Sequence, residues 1–259
     1  MSAGLALAKR EIVRFLRQKS RVVGAVAPPV VMWLLVGSGF KGSFRGDSFG
    51  YFFPGTVVLV VLFAAIFATI SVIEDRREGF LQGVLVAPVA PASIAFGKVL
   101  GGSVLGLLQG LPLLVLVPVA GLSADVRGLL GAAAVLVLLA FALTSLGFAI
   151  AWSLESTQGF HAIMNLFLIP MWLLSGSFFP VEGAPAWLRA AMAVNPLTYG
   201  VAALRRALGG ASESLPSLGL SFAVTAAFAA VMFAAATAVV AKFPSGPPRR
   251  GGKAGRSPA

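Results

Sequence analysis

Residues 74–98 read EDRREGFLQGVLVAPVAPASIAFGK, a long polar interruption in an otherwise apolar chain. Five consecutive charges, Glu74, Asp75, Arg76, Arg77 and Glu78, stand between two apolar runs, each long enough to cross a bilayer. A short helix is expected over Gly79–Val86, stopped by Pro88 and Pro91. Phe80, Val84 and Leu85 fall at helical spacing and give it an apolar face beside the charges. Such a face on a charged loop suits a docking surface for another protein. It also suits a helix resting on lipid headgroups, and the residues alone leave both readings open.

The flanking composition sets the class. Of 259 residues, 58% are hydrophobic and 11% charged. Soluble domains carry about 25% charged residues. Mean hydropathy is +0.93, so the chain is expected to be an integral membrane protein. It has no cysteine and one histidine, His161. That excludes thiol chemistry and disfavours a protein-only zinc site. A net charge of +11 is assigned to membrane topology, with no nucleic acid as partner.

Outward from the central stretch, six apolar spans are expected at Val22–Phe40, Tyr51–Ile73, Gly97–Leu122, Leu129–Trp152, Phe160–Phe179 and Leu218–Val240. Pro28, Pro29, Pro112 and Pro170 predict kinks. Gly102, Gly106 and Gly110 mark a face for close helix approach. Before the spans, residues 1–21 carry Leu5, Ala8, Ile12, Phe15 and Leu16 on one face and Arg10, Arg14, Arg17 and Arg21 on another. This predicts a retained amphipathic helix in the interface, favouring anionic lipid. The spans fill residues 22–243, and residues 244–259 form a Pro/Gly/basic tail expected to be disordered. With both termini inside, 14 of the 20 Lys and Arg lie on the cytoplasmic side.

On the opposite side, Pro180–Ser217 holds apolar runs too short to span, which suggests interfacial or re-entrant helices. Asn195 is placed as an N-cap with Pro196 in the first turn, and Leu197, Val201, Leu204 and Leu208 recur at helical spacing. Other motifs fail. Gly37-Ser38-Gly39-Phe40-Lys41-Gly42 has the spacing of a dinucleotide fingerprint but no preceding strand. No phosphate-binding P-loop and no nucleophile elbow occur in the sequence. The group Glu155, Gln158 and His161 reads as interfacial, and Gln109 and Asn165 as polar packing within spans.

The order of these features resembles the ABC-2 type permeases, membrane subunits of exporters of the daunorubicin-resistance and nodulation-export kind. The likeness rests on E-x-x-x-E-G-F-L-x-x-x-L-x-x-P, on SGSFFPVEGAPAWL and on NPLTYGVAALRRAL, and covers nearly the whole chain. It implies an all-α membrane fold: a connecting helix, six transmembrane helices, a coupling helix and short re-entrant helices. Glu78, Gly79, Phe80 and Leu81 match the start of the coupling helix. With Arg77, Val84 and Leu85 they are the expected contacts to an ATPase. Asn195, Pro196, Leu197, Thr198 and Tyr199 match the linker between the re-entrant helices and, with Leu204, are the expected extracellular gate. The likeness also implies a second permease, as homo- or heterodimer, two copies of an ATPase subunit that binds the ATP, and no cofactor or catalysis in this chain. The expected place is the plasma membrane, with both termini cytoplasmic. The cargo would be amphipathic, lipid-linked, a glycan or a drug. A lipid-modifying membrane enzyme or an ion-driven transporter are the alternatives; scattered acids and the lack of internal repeats argue against them.

Overall fold

A computed structural model describes residues 3–41, 48–81, 89–181, 183–210 and 216–242. Among these residues the fold is helical throughout. Helix α1 spans Ala3–Leu16, α2 Lys19–Gly39, α3 Ser48–Arg77 and α4 Pro91–Gly110, which runs on as a 3-10 turn over Leu111–Leu116. Then come α5 Val126–Trp152, α6 Thr157–Trp172 with a π turn at Leu173–Ser177, α7 Ala186–Val194, α8 Pro196–Ala207 and α9 Leu218–Lys242. Six of them, α2 to α6 and α9, are long and apolar enough to cross a membrane. Helices α7 and α8, of 9 and 12 residues, are too short to do so.

Helix α3 is the axis of the bundle, packed against α2, α4, α5 and α6. Its apolar residues are buried almost all the way round, Val57 to Leu62 among them. This is why it shows no one-sided apolar pattern. At 30 residues it is about 45 Å long and overshoots a hydrocarbon core of about 30 Å. Glu74–Arg77 therefore belong to its last turn rather than to a loop, with Arg76 and Arg77 at the negative end of the helix dipole. Gly79 then ends it with φ +77, a conformation glycine adopts without strain.

The prolines act differently from one another. Pro28 and Pro29 lie inside a continuous α2. Pro112 coincides with the 3-10 turn and Pro170 with the approach to the π turn.

Small residues set the spacing of α4 on two sides. A Cβ at Gly102 would lie 2.5 Å from Thr144 Cγ2 of α5 and 3.2 Å from Ala68 Cβ of α3. On the other side, a Cβ at Gly97 would lie 2.6 Å from the Gly4 carbonyl and 3.0 Å from Leu7 Cβ, both of α1. Helix α1 is thus packed tightly along the first turns of α4. Gly97→Leu is expected to cost about 1–3 kcal/mol by overpacking and to lift α1. Trypsin should then cut faster at the exposed Lys9 and Arg17; an unchanged cleavage rate would contradict this packing.

Candidate functional site

Two polar assemblies stand at opposite ends of the bundle. The first joins α1, the end of α3 and the start of α4. The buried stripe of α1 is Gly4, Leu7, Ala8, Glu11 and Phe15, so it carries an acid among its apolar residues. Leu5 lies outside it, 46% exposed. Glu11 accepts from Lys98 Nζ at 2.7 Å and from Ser71 Oγ at 2.6 Å. Asp75, fully buried, accepts a two-pronged contact from Arg10 at 2.8 and 2.9 Å. Arg14 adds a bond at 2.6 Å, and Lys98 another. Arg14 also reaches Glu74 at 3.0 Å and Glu78 at 3.2 Å, and Arg21 pairs with Glu74.

Four carboxylates, Glu11, Glu74, Asp75 and Glu78, thereby meet four cations, Arg10, Arg14, Arg21 and Lys98. Burial of single charges is costly, and this matching offsets it. The Asp75 hydrogen bond holds Arg10 charged more firmly than a free arginine, outweighing the opposing effect of burial.

This assembly redirects the basic face of α1. Arg10, Arg14 and Arg21 serve the protein's own acids, while Lys9, Arg17 and Lys19 remain exposed. It also fixes the start of the segment expected to be the coupling helix, Glu78–Leu81. Arg10 lies over the Phe80 ring, 3.7 Å from its centre, and Leu81 is buried. Glu78 is exposed and held by Arg14; Arg77, also exposed, donates to the Glu155 carbonyl at 3.2 Å. Beside it Arg76 donates to the carbonyls of Trp152 and Leu154 at the end of α5. Val84 and Leu85 lie outside the described residues.

The second assembly surrounds the π turn after Pro170. A π turn breaks the regular backbone ladder, so its carbonyls need other donors. Asn195 Nδ2 donates to the Met171 carbonyl at 2.6 Å, while its Oδ1 caps α8 by accepting from the Leu197 amide at 3.0 Å. Thr198 Oγ1 donates to the carbonyls of Met192 at 2.6 Å and Leu174 at 3.4 Å. Gly176, at φ +77, turns its carbonyl toward both Tyr51 Oη and Arg205 Nη2, each at 3.0 Å. Arg205 is buried, lies 4.2 Å from the Tyr51 ring centre and donates to the Tyr51 carbonyl. No acid among the described residues pairs with it.

Tyr199 Oη donates to the Ala193 carbonyl at 3.0 Å, tying α8 to α7. Leu197 and Leu204 are fully buried beneath α8, and Pro196 opens it. The sequence-expected residues Asn195 to Tyr199 and Leu204 are therefore brought together. Sequence reasoning did not single out Glu11, Tyr51, Ser71, Gly176 and Arg205; it gave Arg10, Arg14 and Arg21 to a lipid-facing basic face, and Asp75 and Lys98 only a place in the polar stretch. Glu11 on the buried stripe of α1 and the Gly97-Lys98 pair beside it were the available signals for the first assembly.

The family description for the ABC-2 type transporter matches residues 3–208. A protein of Cyanophora paradoxa named as a transport permease, ycf38, is 26% identical over 207 residues, covering 77% of this chain and 71% of its own length. The daunorubicin resistance ABC transporter permease protein DrrB1 of Streptomyces coeruleorubidus is 24% identical, covering 89% and 83%. Nodulation protein J of Rhizobium leguminosarum bv. viciae is 24% identical, covering 85% and 86%.

Proposed function

Because the chain belongs to the ABC-2 type transporter family, and so is a multi-pass membrane subunit of an ABC transporter, we propose that it is an exporter permease driven by a separate ATPase. Two copies of that ATPase act on a pair of permeases. The one observation that carries this reading is the buried charge assembly. It ties the coupling segment at Glu78–Leu81 to α1, α3 and α4 together. A displacement of this segment by ATP-driven closure of the partner is then delivered to three helices as one body. The permease halves rock, and the path between them changes its access. Asn195–Tyr199 and Leu204 hold the outer end, and the two termini lie in the cytoplasm. A relative named for daunorubicin resistance supports outward movement of an amphipathic cargo.

The function is tested by ATP-dependent transport in vesicles containing the permease and its ATPase. Phe80→Ala removes the ring beneath Arg10, a contact of about 0.5–1 kcal/mol at an exposed site, and the apolar side chain offered to the partner. Transport should fall several-fold while insertion into the membrane is kept, because Phe80 lies beyond the end of α3. Unchanged transport would remove the coupling role.

Orientation is tested separately in this cysteine-free chain. Ser123→Cys should react with a membrane-impermeant thiol reagent in intact cells, and Ser153→Cys only after permeabilisation. Both positions are exposed and lie at opposite ends of α5. The reverse pattern would invert the topology and remove the ATPase from the charged end.

A further inference from the structure

The end of the bundle away from the charge assembly holds a cavity of about 430 Å³ between the start of α5, the end of α8 and the start of α9. That is within the range for sites that take small ligands, about 300–1,000 Å³. Its walls are set by close backbone contacts. A Cβ at Gly128 would lie 2.3 Å from the Ala207 carbonyl oxygen, and one at Gly209, where φ is +85, would lie 2.4 Å from the Ser123 carbonyl oxygen. Helices α5 and α8 therefore meet at a fixed distance and leave the space open beside the start of α9.

Charge in the cavity is unbalanced. Arg127 and Arg206 line it with one acid, Asp125. Asp125 Oδ1 is already engaged by the Gly128 amide at 2.7 Å. Arg206 is half-buried and braced by donation from Nε to the Pro216 carbonyl at 2.8 Å. Arg127 is exposed and makes no bond to a described residue. The rest of the wall is largely apolar, with Gly131, Leu218 and Phe222. Depth puts these parts in order. Helix α5 has 27 residues, about 40 Å. Centred in a hydrocarbon core of about 30 Å, it extends about 5 Å beyond it at each end. Arg127, in the first turn, then stands among headgroups. Gly131, a turn further in, stands at the edge of the tails, and Val126 and Leu130 beside the cavity are exposed and apolar.

A cationic mouth at headgroup depth over an apolar wall matches one class of molecule. The phosphate of a phospholipid offers two unbridged oxygens to guanidinium groups. A zwitterionic lipid has the same phosphate but brings an ammonium to meet the arginines, and a free phosphate leaves the apolar wall unused. We propose that this cavity binds an acidic phospholipid of the leaflet at this end of the bundle, its phosphate between Arg127 and Arg206 and the start of its tail against Gly131 and Phe222. The bound lipid joins α5, α8 and α9. The inference is independent of the direction of transport and of the ATPase contact.

The test uses the full-length chain, purified in detergent and stripped of lipid. Phosphatidylglycerol in mixed micelles should raise its melting temperature saturably, and phosphatidylcholine or inorganic phosphate should raise it far less. In Arg127→Gln the phosphatidylglycerol concentration for half the rise should increase about tenfold, the loss of one charge-assisted contact. The lipid-free melting temperature should stay that of the wild type, since Arg127 is exposed. Gly131→Phe tests the tail end independently. Its Cβ would lie 3.7 Å from Ala207 Cβ, an ordinary contact, and its ring should fill the cavity and abolish the rise. Equal stabilisation by phosphatidylcholine would reduce the site to general lipid contact. Equal stabilisation by inorganic phosphate would make it a site for a free anion. A wild-type response to phosphatidylglycerol in both variants would place the headgroup elsewhere. Each of these three results overturns the proposal.

Discussion

Asp75→Asn is expected to destabilise the folded permease by about 3–5 kcal/mol, the range for removing one partner of a buried ion network. The carboxylate is fully buried and receives Arg10, Arg14 and Lys98. An amide keeps the shape but not the charge, and presents its NH2 toward one or more of these donors. The cations are then left with one acid too few, in a place where water cannot replace it. Thermal unfolding in detergent would read the loss. Trypsin sensitivity of α1 would read its site, since Arg10 and Arg14 are what fasten that helix to α3. Pairing the change with Lys98→Met restores the balance, leaving Glu11, Glu74 and Glu78 against Arg10, Arg14 and Arg21. The double variant should therefore be more stable than Asp75→Asn alone. A wild-type melting temperature for the single variant would show that the assembly does not hold the bundle together.

Asn195 carries the second large effect, and two substitutions divide its roles. Asn195→Ala loses the α8 cap, about 1 kcal/mol, and leaves the Met171 carbonyl without its donor, a further cost of about 1–3 kcal/mol. Asn195→Asp keeps an oxygen for the Leu197 amide but turns a carboxylate oxygen toward the Met171 carbonyl, where the amide now donates at 2.6 Å. If the bond to the π turn matters more than the cap, the aspartate variant is the worse of the two in stability and in transport. If the cap alone matters, the aspartate variant matches the native chain, and the link between α8 and the π turn carries no function.

The helical, six-span architecture was legible because span length and apolarity are properties of single segments. Even there, charged residues were misleading about helix ends. Glu74–Arg77 read as loop because they are polar, yet an axial helix longer than the membrane carries polar residues past its surface. The Gly102, Gly106 and Gly110 face was also legible, since a four-residue repeat of the smallest side chain has a direct meaning in packing. Asn195-Pro196 announced a helix start by local rules alone. The donation from Asn195 to Met171 was not legible, because it depends on a π turn formed 24 residues earlier in the chain. The charge assembly was missed for a related reason. Arg10 and Arg14 were read as facing lipid headgroups, whereas their partners, Glu74 and Asp75, stand 60 and more residues away. Only tertiary packing brings them under α1. Glu11 was missed as well, because the stripe of α1 that is buried, Gly4, Leu7, Ala8, Glu11 and Phe15, is set by packing against α4.

The most direct test of the coupling account uses a single cysteine at Gln82, immediately after Leu81, in this otherwise cysteine-free chain. With the ATPase present and hydrolysing ATP, this residue is predicted to crosslink at short range to the ATPase, with a yield that changes when ATP is added. Crosslinking confined to lipid-borne probes, with an active ATPase still bound to the permease, would contradict the account.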